Sequence, residues 1–169
     1  MFITQDNTVR NIDSKWDLII AHPPCTYLSN AGAARLFPRA GEINKDRFIE
    51  GLKAKLFFMT FYLYGWFGCG KIAIENPIPT RVYELPEKTQ AIQPYEYGHP
   101  YSKKTYLWLF GLQELKPTNI VEPICSWVSG GSKRKDGTSR ANKGTKHRDS
   151  KTRSKTFTGI ARAMADQWG

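Results

Sequence analysis

Two apolar runs stopped by proline, with one helix length between them, constrain this chain more than any other feature. Trp16-Asp17-Leu18-Ile19-Ile20-Ala21 is a short apolar run that ends at Pro23-Pro24, and Lys71-Ile72-Ala73-Ile74-Glu75 is a second, stopped by Pro77 and Pro79. Neither alternates polar with apolar residues, the pattern of strands buried on both faces in a parallel sheet. Between them Asn44 is placed to cap a helix that runs to about Trp66, and Gly68 and Gly70 break it. Strand, helix, strand at this spacing predicts a βαβ unit with parallel pairing and a right-handed crossover.

Within the helix, Phe48, Leu52, Leu56, Met59, Leu63 and Trp66 recur at spacings of three and four, which predicts the core-facing stripe. Its second half is apolar nearly all round and is expected to be well buried. Thr105-Tyr106-Leu107-Trp108-Leu109-Phe110 predicts a further strand, residues 90–97 a weaker one, and residues 157–168 a final helix with Ile160, Ala161, Met164 and Ala165 on its apolar face. The fold expected from these elements is α/β, a mainly parallel sheet flanked by helices, in one domain over residues 1–169.

The charge is unevenly spread. Of a net +10, the stretch 133–155 carries ten Lys or Arg against Asp136 and Asp149, which leaves +8 there and the remainder near neutral. Together with its Gly, Ser, Thr and Asn, this predicts a basic flexible segment over residues 129–155, a composition that suits a polyanion because each neutralised phosphate releases counterions. No apolar stretch is long enough to span a membrane, and residues 1–6 have no basic region leading into an apolar run, so neither a membrane anchor nor a secretory signal is expected. The three cysteines, Cys25, Cys69 and Cys125, are far apart and form no Cys-x-x-Cys pair. That predicts a reduced, cytoplasmic protein without a metal site.

Chemistry concentrates where the two Pro-stopped strands end. Pro23 and Pro24 fix φ twice and present Cys25 at a stiff turn; Glu75-Asn76-Pro77 closes the next strand. Neighbouring parallel strands bring both turns to the carboxyl edge of the sheet, where α/β proteins build their sites. A lone cysteine is more often a small core residue, and this is the reading for Cys69 and Cys125. Cys25 differs in sharing its edge with Glu75: a thiol beside a carboxyl group is a nucleophile next to an acid.

These residues reach a family. His22-Pro23-Pro24-Cys25-Thr26 resembles the Pro-Cys motif of cytosine carbon-5 DNA methyltransferases, and Glu75-Asn76-Pro77 resembles their Glu-Asn-Val motif. Gly98-His99-Pro100-Tyr101-Ser102-Lys103-Lys104-Thr105 is similar to their Gly-x-Pro-Gln-x-Arg-x-Arg segment, with Tyr101, Lys103 and Thr105 departing from it. Residues 154–168 look like the last family motif, a turn and helix beside the cofactor, and the stretches 16–32 and 93–118 look like a phage-borne branch. The resemblance covers nearly the whole chain and implies a Rossmann-like methyltransferase fold.

It also implies roles. Cys25 is the thiolate that adds to carbon-6 of cytosine, and Glu75 the acid at ring N3, so that carbon-5 becomes nucleophilic enough to take the methyl group of S-adenosyl-L-methionine. Asp6, His22, Pro23 and Thr156 fall on the cofactor side. Pro24, Asn76, Lys103 and Lys104 fall on the base and the double-stranded DNA, joined by Lys133, Arg134 and Lys135 of the basic segment. The base leaves the helix to be reached, and the loop over residues 26–41 is expected to close over it. The rival within the superfamily is methylation of an exocyclic amino group, which uses Asp or Asn followed by two prolines and an aromatic; His22 and Cys25 at those positions favour carbon-5.

One family feature is missing. Members open with a strand, a Gly-rich turn and a helix that hold the cofactor, whereas this sequence has no Gly before Gly32. On the family pattern Phe2-Ile3-Thr4 is a later edge strand, and the strand starting at Trp16 is left with an unpaired edge. Three origins fit: a fragment of a complete enzyme, one half of a split enzyme whose second chain supplies the cofactor-binding unit, or a remnant that binds DNA without methylating it. With about 35 residues between Lys116 and Ser154, base specificity is expected to be low or borrowed.

Overall fold

Asn44 starts the longest element as its sequence indicates. Its side chain accepts from the Arg47 N–H at 3.0 Å, and the helix it caps runs over Lys45–Phe67. In the computed structural model, which describes residues 2–3, 9–10, 16–68, 70–127 and 155–169, the elements in order are β1 (Phe2–Ile3), β2 (Val9–Arg10), β3 (Leu18–Ala21), α1 (Ala33–Leu36), α2 (Lys45–Phe67), β4 (Lys71–Pro77), β5 (Gln90–Ile92), β6 (Tyr101–Ser102), β7 (Thr105–Phe110), β8 (Cys125–Ser126) and α3 (Thr158–Trp168). The basic segment's residues 129–154, with Lys133, Arg134 and Lys135, lie outside the described residues, as do Asp6 and Cys69.

The principal sheet has the order β3-β4-β7-β5. β3 and β4 pair in parallel, Leu18 with Lys71 through Ala21 with Ile74, as the strand-helix-strand pattern predicts. β7 pairs antiparallel with both β4 and β5. The expectation of a mainly parallel sheet is therefore corrected: the fold is α/β with a mixed sheet and two antiparallel pairings out of three. Only the β3–β4 connection contains an α-helix, the element that parallel neighbours need to return the chain to the same end. Since β7 opposes both neighbours, β3, β4 and β5 share one direction and β7 alone is reversed. Phe2–Ile3 is not an edge of this sheet; it pairs with Val9–Arg10 in a separate two-stranded sheet.

The pleat sends alternate side chains to two apolar layers. Ile72, Ile74 and Trp108 pack with Phe58 and Phe61 of α2, where Phe58 meets the Trp108 ring edge-on at 4.8 Å. Ala73, Leu107 and Leu109 pack with Ile160, Ala163, Met164 and Trp168 of α3. α3 is tied down further by Trp168 Nε1 donating to the Gln113 carbonyl at 3.0 Å and by Gln167, which exchanges two hydrogen bonds with Lys116.

Both helical faces differ from expectation. In α2 the buried residues are Gly51, Phe58 and Phe61, while Leu52, Leu56, Leu63 and Trp66 of the expected stripe are exposed, Leu56 at 70%. The helix carries apolar residues on nearly every side, so a three-and-four spacing exists on more than one face and periodicity cannot choose between them. Nor is its second half well buried, since Phe67 is 86% exposed. In α3, Ala163 and Trp168 take the places expected for Ala161 and Ala165, because the large indole fixes the rotation of a short helix.

Candidate active site

The β3–β4 register makes the site. Ala21 pairs with Ile74, so the next residues, His22 and Glu75, are neighbours on one face of the sheet. His22 Nδ1 lies 2.9 Å from Glu75 Oε2, with side chains 43% and 18% exposed. Beyond His22 the chain leaves the sheet through Pro23, which is buried, and Pro24, which is exposed, to a half-buried Cys25. Asn76 is fully buried behind this turn and its amide reaches the Pro23 carbonyl at 3.5 Å.

The chain after Cys25 is held from several sides. Ser29 N–H donates to the Cys25 carbonyl at 2.9 Å, which closes a helical turn. Asn30 N–H donates to Ile78 O at 2.8 Å, and Thr80 N–H to Leu28 O at 2.7 Å, which stitches this loop to the segment following β4. Arg47, in the first turn of α2, donates from Nη2 to the Thr26 carbonyl at 2.7 Å and lays its guanidinium over the Tyr27 ring at 4.9 Å. Leu28, with no exposed surface, anchors the loop in the core.

Cys25 and Glu75 wall the same cavity, of about 740 Å³, whose lining also includes Arg35, Arg47, Lys103 and Lys104. Lys103 and Lys104 reach it because β7 is reversed: residues that precede β7 arrive at the edge where β3 and β4 end. Gln93 fixes their approach, its side-chain oxygen accepting from the Lys103 N–H at 2.9 Å. Among the described residues that line the cavity are four Lys or Arg and one carboxylate, a composition suited to phosphate.

The structure thus brings together Cys25, Glu75, His22, Pro23, Pro24, Lys103 and Lys104 of the residues singled out in the sequence. Asn76 and Thr156 are not on the lining: Asn76 is enclosed behind the proline turn, and Thr156 is exposed ahead of α3. Arg35 and Arg47 were not expected. Arg47 carried a signal, because a cation in the first turn of a helix opposes the macrodipole and needs another reason to be there. Among the described residues no group of three or more His, Cys, Asp or Glu could hold a metal, and no helix is long and apolar enough to cross a membrane.

Compared with known proteins, the chain matches no protein-family model, no curated protein and no solved structure.

Proposed function

We propose that this cavity is the target-base side of a cytosine carbon-5 DNA methyltransferase with a Rossmann-like sheet, in which Cys25 is the nucleophile and Glu75 the acid. The observation that carries the reading is the placement of the Pro23-Pro24-Cys25 turn and Glu75 at the ends of paired parallel strands, on one cavity ringed by Arg35, Arg47, Lys103 and Lys104. The cations suit the phosphates flanking an extruded nucleotide.

The chemistry follows from the residue types. The Cys25 thiolate adds to carbon-6 of cytosine. The carbon-5–carbon-6 π pair moves to carbon-4–carbon-5, and the carbon-4–N3 pair moves to N3, which takes the Glu75 proton. The product is an enamine, nucleophilic at carbon-5. Capture of an electrophile there, loss of the original carbon-5 hydrogen, return of the N3 proton to Glu75 and departure of the thiolate restore the ring.

S-adenosyl-L-methionine is the methyl source in this reading, but the described residues do not fit it. Among them Glu75 is the one carboxylate on the cavity wall and is engaged by His22; Thr156 stands off the lining. The donor's holder lies outside these residues or on a second chain.

Addition and elimination at carbon-6 need no donor, and this gives the test. Duplex DNA tritiated at carbon-5 of cytosine is expected to release tritium to water when incubated with the chain, since the enamine takes up a solvent proton in place of a methyl group. Cys25→Ser should abolish release, and Glu75→Gln should slow it by about 10²-fold or more. Binding to DNA without release would overturn the enzymatic reading in favour of a DNA-binding module, and release that survives Cys25→Ser would assign the nucleophile elsewhere.

A further inference from the structure

A regular apolar stripe on α2 faces away from the sheet. Gly51, Phe58 and Phe61 take the inward face, while Ile49, Leu52, Leu56, Leu63 and Trp66 are exposed, Leu56 at 70% and Trp66 at 65%. Met59 is half-buried between them. Trp66 stays open although its ring meets Phe110 edge-on at 5.9 Å. From Ile49 to Trp66 the spacings run three, four, three, four, three. These are the a and d positions of successive heptads, the seam by which one helix packs on another. The longest stretch outside the described residues, 128–154, offers only Val128 and Ala141 as aliphatic side chains beside nine Lys or Arg. A segment of that composition does not bury an apolar seam.

We infer that a second copy of this chain covers the seam, with the two α2 helices antiparallel about a two-fold axis. The spacing reads the same in both directions, so the stripe is complementary to itself when one helix is reversed, as an isologous contact requires. In that register Ile49 of each copy meets Trp66 of the other, Leu52 meets Leu63, and Leu56 meets Met59. The flanks agree. Lys53 comes opposite Thr60 and Lys55 opposite Tyr62, so no two like charges meet and Lys55 gains an aromatic face. Parallel packing would instead stack Trp66 on Trp66 and align the two macrodipoles.

The seam is about 26 Å long at the α-helical rise. Trp66 and Phe67 are side chains of about 150–250 Å² each. With them the contact hides roughly 500 Å² per copy, about 1,000 Å² in all, which reaches the lower bound for a specific interface and makes the dimer reversible. None of the seam side chains lines the cavity, so the inference is independent of the chemistry proposed there.

Sedimentation equilibrium of the full chain between about 1 and 200 µM should show the mean mass rising from 19.3 kDa toward twice that value. Leu56→Glu, with its far-UV circular dichroism unchanged, should weaken association by about 10-fold or more. Leu56→Gln carries the same measurement if a charge there disturbs folding. The register has its own test. Leu52→Lys and Leu63→Glu should each be monomeric alone, because each homodimer would hold two unpaired charges in the seam. Mixed in equal amounts they should associate, since antiparallel pairing sets the new lysine against the new glutamate and leaves the wild-type leucines facing each other. A wild type that stays at 19.3 kDa throughout would overturn the inference and leave the seam to a different protein. Mass that climbs past twice that value would overturn the two-fold pairing. A Leu56→Glu variant that associates as the wild type does would overturn the seam, and a mixture no more associated than its components would overturn the antiparallel register.

Discussion

Arg47 donates to the carbonyl of Thr26 at 2.7 Å, so a cation in the first turn of α2 holds the residue next to the thiol. The guanidinium fills the space beside the loop: a methyl group on Gly32 would approach its Nη2 to 2.7 Å. Arg47→Ala is expected to loosen residues 26–32, to lower tritium release by about 10-fold and to cost about 1 kcal/mol of stability, because a charged hydrogen bond is lost at a partly exposed site. Faster backbone hydrogen exchange over residues 26–32, with α3 unaffected, is the measurement that checks it.

Gly159 sets how closely α3 can dock. A methyl group there would sit 2.0 Å from the Tyr97 carbonyl oxygen and 3.1 Å from His99 Nε2. The oxygen belongs to backbone and cannot step aside. The same glycine's N–H donates to His99 Nε2 at 3.0 Å. Gly159→Ala should destabilise the chain by about 3 kcal/mol or more, seen as a lowered midpoint in urea. A variant as stable as the wild type would mean that α3 has room to move off the sheet.

Tyr97 predicts how the chain behaves in alkali. Burial, and secondarily Glu96, push its phenol up to about 12, and the hydroxyl donates to the Leu115 carbonyl at 3.1 Å. The folded chain thus holds this proton more tightly than the unfolded chain, whose tyrosines titrate near about 10. The stabilisation is fully present below about pH 10 and is lost as pH rises through about 12. Tyr97→Phe should lose roughly 1 kcal/mol near neutrality and show a shallower decline between those limits, read from denaturation midpoints across pH.

Lys103 and Lys104 carry the DNA prediction together with the basic segment. Replacing both lysines with alanine should weaken duplex binding evenly across sequences and reduce the salt slope by about 1 for each phosphate that is no longer neutralised. Removing residues 133–153 should reduce it further, because most of the net charge lies there. Fluorescence anisotropy over a salt series measures both, and an unchanged slope would mean that neither set meets phosphate.

Much of the sheet was legible because its signals are local. Pro23-Pro24 and Pro77 mark where strands stop, Asn44 marks where α2 starts, and the run from Thr105 to Phe110 has the length and the β-branched and aromatic character of a strand. Proximity of Cys25 to Glu75 followed from parallel pairing alone, since two turns at the same ends of adjacent strands must share an edge. What stayed hidden depends on non-local packing. The reversed β7 follows from which strand it inserts beside, and nothing within residues 105–110 states that. Leu56 and Phe58 are equally apolar, yet only Phe58 meets Trp108, so which face of α2 is buried is decided by the sheet. Arg35 and Arg47 reach the cavity through the fold of the loop after Cys25, and His22 meets Glu75 through register; no motif announces either.

The β3–β4 pairing also sets when the site comes into being as the chain folds. Pro77 and Thr105, the closing pair of β4 and β7, are 28 positions apart, whereas His22 and Glu75 are 53 apart. Loop closure costs more as the intervening chain lengthens, and distant pairings form slowly. The β4–β7 ribbon is therefore the earlier platform, and the strand bearing the thiol turn docks onto its open side afterwards. Until that docking, Cys25 is an ordinary thiol on a loose chain, so its reactivity toward a small alkylating reagent during refolding serves as a clock for the docking of β3.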